Sequence, residues 1–206
     1  VVKQISSSML VHKFINSLRH QSGLYTFKKV LLWFNRLVSI KIFLRIKSLF
    51  YFNSKDLALG SNVKISGLCP DIKIGKYNNF YPNTIFEFGS NSSFTTGDNV
   101  ILSYGVLVSC MEEIKIGSFV QIGEYTSIRD TTHNYKGTAS IPIMGLKDVS
   151  LPIIIGNNVW IGRGCLISEG TIIEDGVIIG ANSYVKGHLQ NNGIYAGSPV
   201  KLIKLR

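Results

Sequence analysis

From Ile155 onward every sixth residue is aliphatic: Ile155, Ile161, Ile167, Ile173, Ile179 and Val185. The next place is often glycine, as at Gly156, Gly162 and Gly180, and the fifth place holds Val159, Cys165, Thr171, Val177 and Ser183. The same pattern runs upstream through Ile116, Ile122 and Ile128, and a weaker copy passes through Ile74, Phe80 and Phe86, shifts phase, and continues through Phe88, Phe94, Val100 and Val106. A period of six is neither the 3.6 of a helix nor the simple alternation of one long strand. It suits short strands joined by tight turns, with one aliphatic residue per hexad pointing into a central core and each coil pairing its backbone with the next. The expected fold is mainly β, a solenoid over residues 57–206. A sandwich of short Val/Ile-rich strands is the alternative, and it predicts turn signals without a fixed phase.

Between Ile128 and Ile155 the register breaks, because 27 positions is not a multiple of six. The excursion, at about residues 134–151, carries Gly137, Pro142, Gly145 and polar residues, which reads as an exposed loop. Loops held on a rigid scaffold often carry function.

Charge divides the chain. Among 206 residues, residues 1–55 hold ten Lys/Arg and no Asp or Glu, whereas residues 56–206 hold twelve of each. Residues 1–56 therefore form a basic segment of their own, with a helix expected from Tyr25 to Phe52. Such a helix could cap the open first coil, whose unpaired edge invites aggregation, or lie on an anionic membrane. Nucleic acid is a poorer partner, since no binding motif accompanies the charge. Arg36, Lys41, Arg45 and Lys47 interrupt the most apolar stretch, so no transmembrane span is expected, and no secretory signal is readable. Cys69, Cys110 and Cys165 form no C-x-x-C pair and are odd in number, which suits a reducing, cytoplasmic setting. Cys110 and Cys165 fall where the pattern wants small buried residues and read as core.

The run Ile155-Gly156-Asn157-Asn158-Val159-Trp160-Ile161-Gly162, the hexads after it, and the ending Ala196-Gly197-Ser198-Pro199-Val200-Lys201-Leu202-Ile203-Lys204 closely resemble the hexapeptide-repeat acyltransferases, including the O-acetyltransferases of bacterial surface polysaccharides. The resemblance implies a left-handed parallel β-helix with three faces per coil, assembled as a homotrimer. It also implies acetyl-CoA as co-substrate and a histidine base just before the excursion. His133, in Asp130-Thr131-Thr132-His133-Asn134-Tyr135, takes that role. Imidazole titrates near the working pH and can remove a hydroxyl proton as the hydroxyl attacks a thioester. A base of this kind is usually held in one tautomer by a second group. Asp130 is the nearest carboxylate in sequence, Glu112 and Glu124 are rivals, and Asp130 could instead cap a turn.

By position in the family motif, Gly162, Arg163, Gly180 and Ala181 are expected along the pantetheine arm, with Trp160 either lining the groove or packing between subunits. Lys186, Lys201 and Lys204 are expected at the phosphate end, although relatives commonly read V-T-K-D where this chain reads Tyr184-Val185-Lys186-Gly187-His188. Ser103 stands where galactoside and maltose acetyltransferases carry a sugar-contacting Asn, and Asn134 and Tyr135 complete the acceptor side. No metal is expected: the γ-class carbonic anhydrases of this fold hold zinc through three histidines, and the repeat region here has only His133 and His188. The expected activity is O-acetylation of a sugar hydroxyl in a bacterial surface polysaccharide or its precursor. N-acetylation of an amino sugar, acetylation of a small antibiotic-type molecule, and a non-catalytic scaffold are the rivals.

Overall fold

The computed structural model describes residues 23–134 and 147–206. The chain divides into two compact units, of which the larger is Leu44–Arg206; of the smaller, the described part is the helical stretch 23–43. Helix α1 spans Gly23–Phe52 without interruption.

The larger unit is a three-sided parallel β-helix of about six coils. One coil shows the rule: Trp160–Ile161 lies on the first face, Leu166–Ile167 on the second and Ile172–Ile173 on the third. Each pairs in parallel with the strand one coil away, as Ile161 does with Ile122 and Ile179. The hexad residues Ile155, Ile161, Ile167, Ile173, Ile179 and Val185 all point inward and are buried. The fifth-place residues Val159, Cys165, Thr171, Val177 and Ser183 are buried with them. A two-residue strand has one inward place, so one aliphatic residue in six suffices to fill the core.

The phase shift upstream has a simple cause. There the strands lengthen to four residues, so Ile85–Phe88 buries both Phe86 and Phe88, and Glu113–Ile116 buries both Ile114 and Ile116. Wider coils need larger side chains, and Phe80, Phe86 and Phe94 supply them. The open first coil is closed by the end of α1. Phe52 is buried, its ring centroid 5.6 Å from that of Phe80 and 5.0 Å from that of Phe86, edge-on to both. Lys47 donates to the Val63 carbonyl, and Ser48 Oγ donates to the Ser54 carbonyl at 2.6 Å. At the far end Lys201–Leu205 pairs antiparallel with Gly193–Ala196.

A ladder of short polar side chains binds the corner between the third and first faces. Asp98 Oδ1 accepts the Lys76 amide at 2.7 Å, Ser118 Oγ the Asp98 amide at 3.0 Å, Asn157 Oδ1 the Ser118 amide at 2.9 Å, and Asp175 Oδ1 the Asn157 amide at 2.6 Å. Each rung satisfies a corner amide that the strand ladders leave over.

The excursion leaves from the corner between the second and third faces. Thr131–Thr132 pairs antiparallel with Val149–Ser150 to form a neck, and the Leu151 amide donates to the Asp130 carbonyl at 2.8 Å. Ile153 then resumes the third face beside Ile114. Residues 135–146, and with them Tyr135, lie outside the described residues.

Candidate active site

His133 stands just beyond the neck. Its Nδ1 lies 2.8 Å from Asp148 Oδ1 on the returning arm. With Nδ1–H donated to the carboxylate, Nε2 keeps its lone pair and can accept a proton. The pair sits at the rim of an open cavity of about 580 Å³ whose walls include Glu87, Ser109, Arg129 and Lys147. Glu87, Ser109 and Arg129 come from three successive coils of the second face, in register, with Ser109 buried between the partly exposed Glu87 and Arg129. Arg129 Nη2 approaches Glu87 Oε2 to 3.8 Å, a partly exposed pair that spans two coil spacings. The Glu87, Ser109, Arg129 and Asp148 contributions were missed in the sequence. The 22- and 20-residue steps between the first three are the signal that could have found them.

The expected pairing of Asp130 with His133 is not formed. Asp130 is fully buried, and its Oδ1 and Oδ2 accept the Met111 and Glu112 amides, each at 2.7 Å. It turns inward to hold the corner of the coil below, while the neck carries His133 outward. Burial raises the Asp130 carboxyl above its ordinary value, outweighing the amides that pull it down. Glu112 donates its amide to Asp130, and Glu124 lines a different groove. Burial, with the Asp130 charge nearby, pushes the Cys110 thiol up to about 12, and burial also raises Cys165. Both behave as core residues at neutral pH.

The residues expected on the donor side gather at another corner, between the first and second faces. The Ser103 amide donates to the Ile122 carbonyl, the Gly123 amide to Ile161, the Gly162 amide to Ile179 and the Gly180 amide to Tyr195, so these positions stack along the helix axis. Trp160, Gly162, Arg163, Gly180 and Ala181 line one groove of about 350 Å³ together with Gly123, Glu124 and Ile178. Trp160 points outward, 56% exposed, between Gln121 and Ile178. A Cβ on Gly162 would lie 2.6 Å from the Ala181 amide nitrogen, so coil stacking alone requires glycine there. Lys201 pairs with Ala196 at the top of the same column, and Lys204 with Ile194 above Trp160 and Ile178.

Three expected residues lie elsewhere. Ser103 belongs to the donor column, not to the His133 cavity. Asn134 follows His133 directly and is half-buried, but it does not line that cavity. Lys186 follows the second face, one corner away from Gly162 and Gly180, and its ammonium is bonded to Glu169. Burial pushes Glu169 up, but hydrogen bonds from Lys186 and Ser168 outweigh it and hold the carboxyl below its ordinary value. Among the described residues, no three His, Cys, Asp or Glu side chains converge as a metal site.

Residues 152–187 match the family described as bacterial transferase hexapeptide (six repeats). Over 113 residues the chain is 31% identical to WbbJ of Escherichia coli (strain K12), named as a lipopolysaccharide biosynthesis O-acetyl transferase; the match covers 52% of this chain and 58% of that one. A chloramphenicol acetyltransferase of Klebsiella aerogenes is 28% identical over 176 residues, covering 76% of this chain and 77% of that one. Among solved structures, a point mutant of AntD, an N-acyltransferase from Bacillus cereus in complex with dTDP and coenzyme A, is 26% identical with a TM-score of 0.57, over 72% of this chain and 83% of that one. The chain thus spans little more than half the length of WbbJ.

Proposed function

We propose that the chain is a hexapeptide-repeat transferase that moves acetyl from acetyl-CoA to a sugar hydroxyl of a bacterial surface polysaccharide or its lipid-linked precursor, in the cytoplasm. One observation carries the reading: the His133 imidazole, tethered through Nδ1 to Asp148, faces a cavity wide enough for a sugar and walled by Glu87, Ser109 and Arg129. Coenzyme A fits the other corner by its chemistry. The groove beside Trp160, Gly162 and Gly180 offers apolar and backbone surface to a neutral arm, and Lys201 and Lys204 offer charge to phosphate.

In this mechanism the acceptor hydroxyl attacks the thioester carbonyl carbon while His133 Nε2 takes its proton. The C–O bond forms, the C–S bond breaks, and the departing thiolate takes the proton back from the imidazolium. Asp148 stabilises the cation between these events and keeps the ring in one tautomer. Backbone N–H groups stabilise the transient oxyanion.

Base and groove occupy different corners of one coil, about five residues or roughly 16 Å apart along the second face. A symmetric trimer that sets the groove of one copy against the His133 corner of the next would complete the site, which favours the homotrimer. A second reading, N-acylation of an amino sugar, draws on the likeness to AntD. Incubation with radiolabelled acetyl-CoA and a panel of glycans, lipid-linked sugars and amino sugars tests both. Acceptor-dependent release of coenzyme A with a base-labile product supports the ester, and a base-stable product supports the amide. Release of no coenzyme A with any acceptor would sink the proposal.

A further inference from the structure

The last turns of helix α1 are apolar on two sides. Ser48 and Phe52 are buried on the solenoid side, and Leu44 and Tyr51 are partly covered. Ile46, Leu49 and Phe50, at the i, i+3, i+4 spacing of a single helix face, point the other way and are exposed. Phe50 is 76% exposed and Leu68, from the first coil, 74%. The two share the rim of one small cavity of about 180 Å³, so the helix face continues onto the end of the solenoid. Arg45 and Lys55 are exposed in the same stretch. The stretch 23–43, taken by itself, exposes Ile40, Lys41, Ile42 and Phe43.

An apolar patch of this kind on a folded surface calls for a partner. Charge indicates which: ten Lys/Arg and no acid precede residue 56, while the remainder is balanced. A protein surface would have to supply many acidic groups around an apolar centre, whereas an anionic bilayer presents both features together. No helix of the described residues is long and apolar enough to cross a membrane. We propose that this end of the solenoid docks on an anionic bilayer, with Ile46, Leu49, Phe50 and Leu68 entering the headgroup boundary. The same helix then both closes the first coil and holds the protein to lipid. Three coil spacings, about 14 Å, separate the first strand of the second face from Ser127–Arg129 beside the His133 cavity. Docking would keep that cavity within reach of an acceptor carried on lipid, which deepens the proposed reaction but stands on separate observations.

The test is sedimentation of the full chain with vesicles of phosphatidylcholine and phosphatidylglycerol at 7:3. We expect binding at low salt, at least tenfold weaker binding to pure phosphatidylcholine, and release as salt shortens the Debye length. The exposed pair Phe50→Ser/Leu68→Ser should weaken binding at least tenfold while leaving thermal unfolding and turnover of a soluble acceptor unchanged. Arg45→Gln/Lys55→Gln should flatten the salt dependence. Absence of binding by folded protein, or unchanged binding by the serine pair, overturns the proposal. So does a change of oligomeric state in the serine pair without vesicle binding by the parent, which would assign the patch to a second copy. Turnover of a soluble acceptor without vesicles is read in parallel, so failure of the docking and failure of the reaction remain distinguishable.

Discussion

His133 and Asp148 meet across the neck of the excursion, with Nδ1 and Oδ1 2.8 Å apart although 15 residues separate them in sequence. Two arms of a loop thus meet in one imidazole–carboxylate unit, and the unit rather than either residue should set turnover. His133→Ala is expected to lower kcat by about two to four orders of magnitude with coenzyme A affinity unchanged. Asp148→Asn should cost about one to two orders. The double variant should be no slower than His133→Ala alone, since Asp148 acts through the ring. Additive losses in steady-state kinetics would show that Asp148 acts independently.

Asp130 should behave as a structural residue. Asp130→Asn replaces one acceptor oxygen by a side-chain amide NH2 that faces a backbone N–H, and we expect a loss of about 1–3 kcal/mol in unfolding stability. Denaturant titration measures this, and the folded variant should retain most of its kcat. A thousandfold fall in kcat at unchanged stability would return Asp130 to the chemistry.

The Glu169–Lys186 pair makes a signed prediction about acid. A carboxyl whose folded pKa is depressed adds stability above its unfolded value, here 4.5, and loses it as pH falls through the folded value. Lys186→Met removes the leading hydrogen bond that opposes burial, so Glu169 should then resist ionisation. The variant should be less stable than the parent near pH 7, and the difference should shrink as pH drops below 4.5. Thermal midpoints across pH 3–7 would show it. Coenzyme A affinity should not follow Lys186, because its ammonium is already engaged and lies at a different corner from the groove.

At the donor end, neutralising Lys201 and Lys204 together should weaken coenzyme A binding about tenfold and leave dephospho-coenzyme A, which lacks the 3′-phosphate, little changed. Calorimetric titration with both ligands separates this from general loss of fold. Equal weakening of the two would move the phosphate site elsewhere.

The hexads were legible because each face of a coil has one inward place, so Ile161 or Ile167 announces its own burial. The upstream phase shift was legible only as a shift, since nothing in Phe86 and Phe88 alone says that one strand has lengthened. The site was harder. Asp130 is near His133 in sequence, but it turns into the corner at the end of Ser127–Arg129 while Thr131–Thr132 carries the chain out along the neck, so three positions suffice to separate them. Asp148 was hidden because its partnership depends on where the excursion returns. Glu87 and Arg129 were hidden because outward places carry no periodic demand for one residue type. The setting of Lys186 was hidden for a related reason: a family position fixes a corner of the coil, and a local partner such as Glu169 decides what the side chain bonds there.

The polar corner ladder passes from Ser118 to Asn157 as it does from Asp98 to Ser118 and from Asn157 to Asp175, although the two lie 39 positions apart. The stack is therefore indifferent to what happens in the excursion, and lengthening a closed loop is inexpensive, at about 0.6 kcal/mol per doubling. Heritable change can then act on the two parts at different speeds. Under the proposed reaction, replacing the segment beyond the neck is a route to a different acceptor, while the coils, tied across the gap by Asn157, accept only the substitutions that close packing allows.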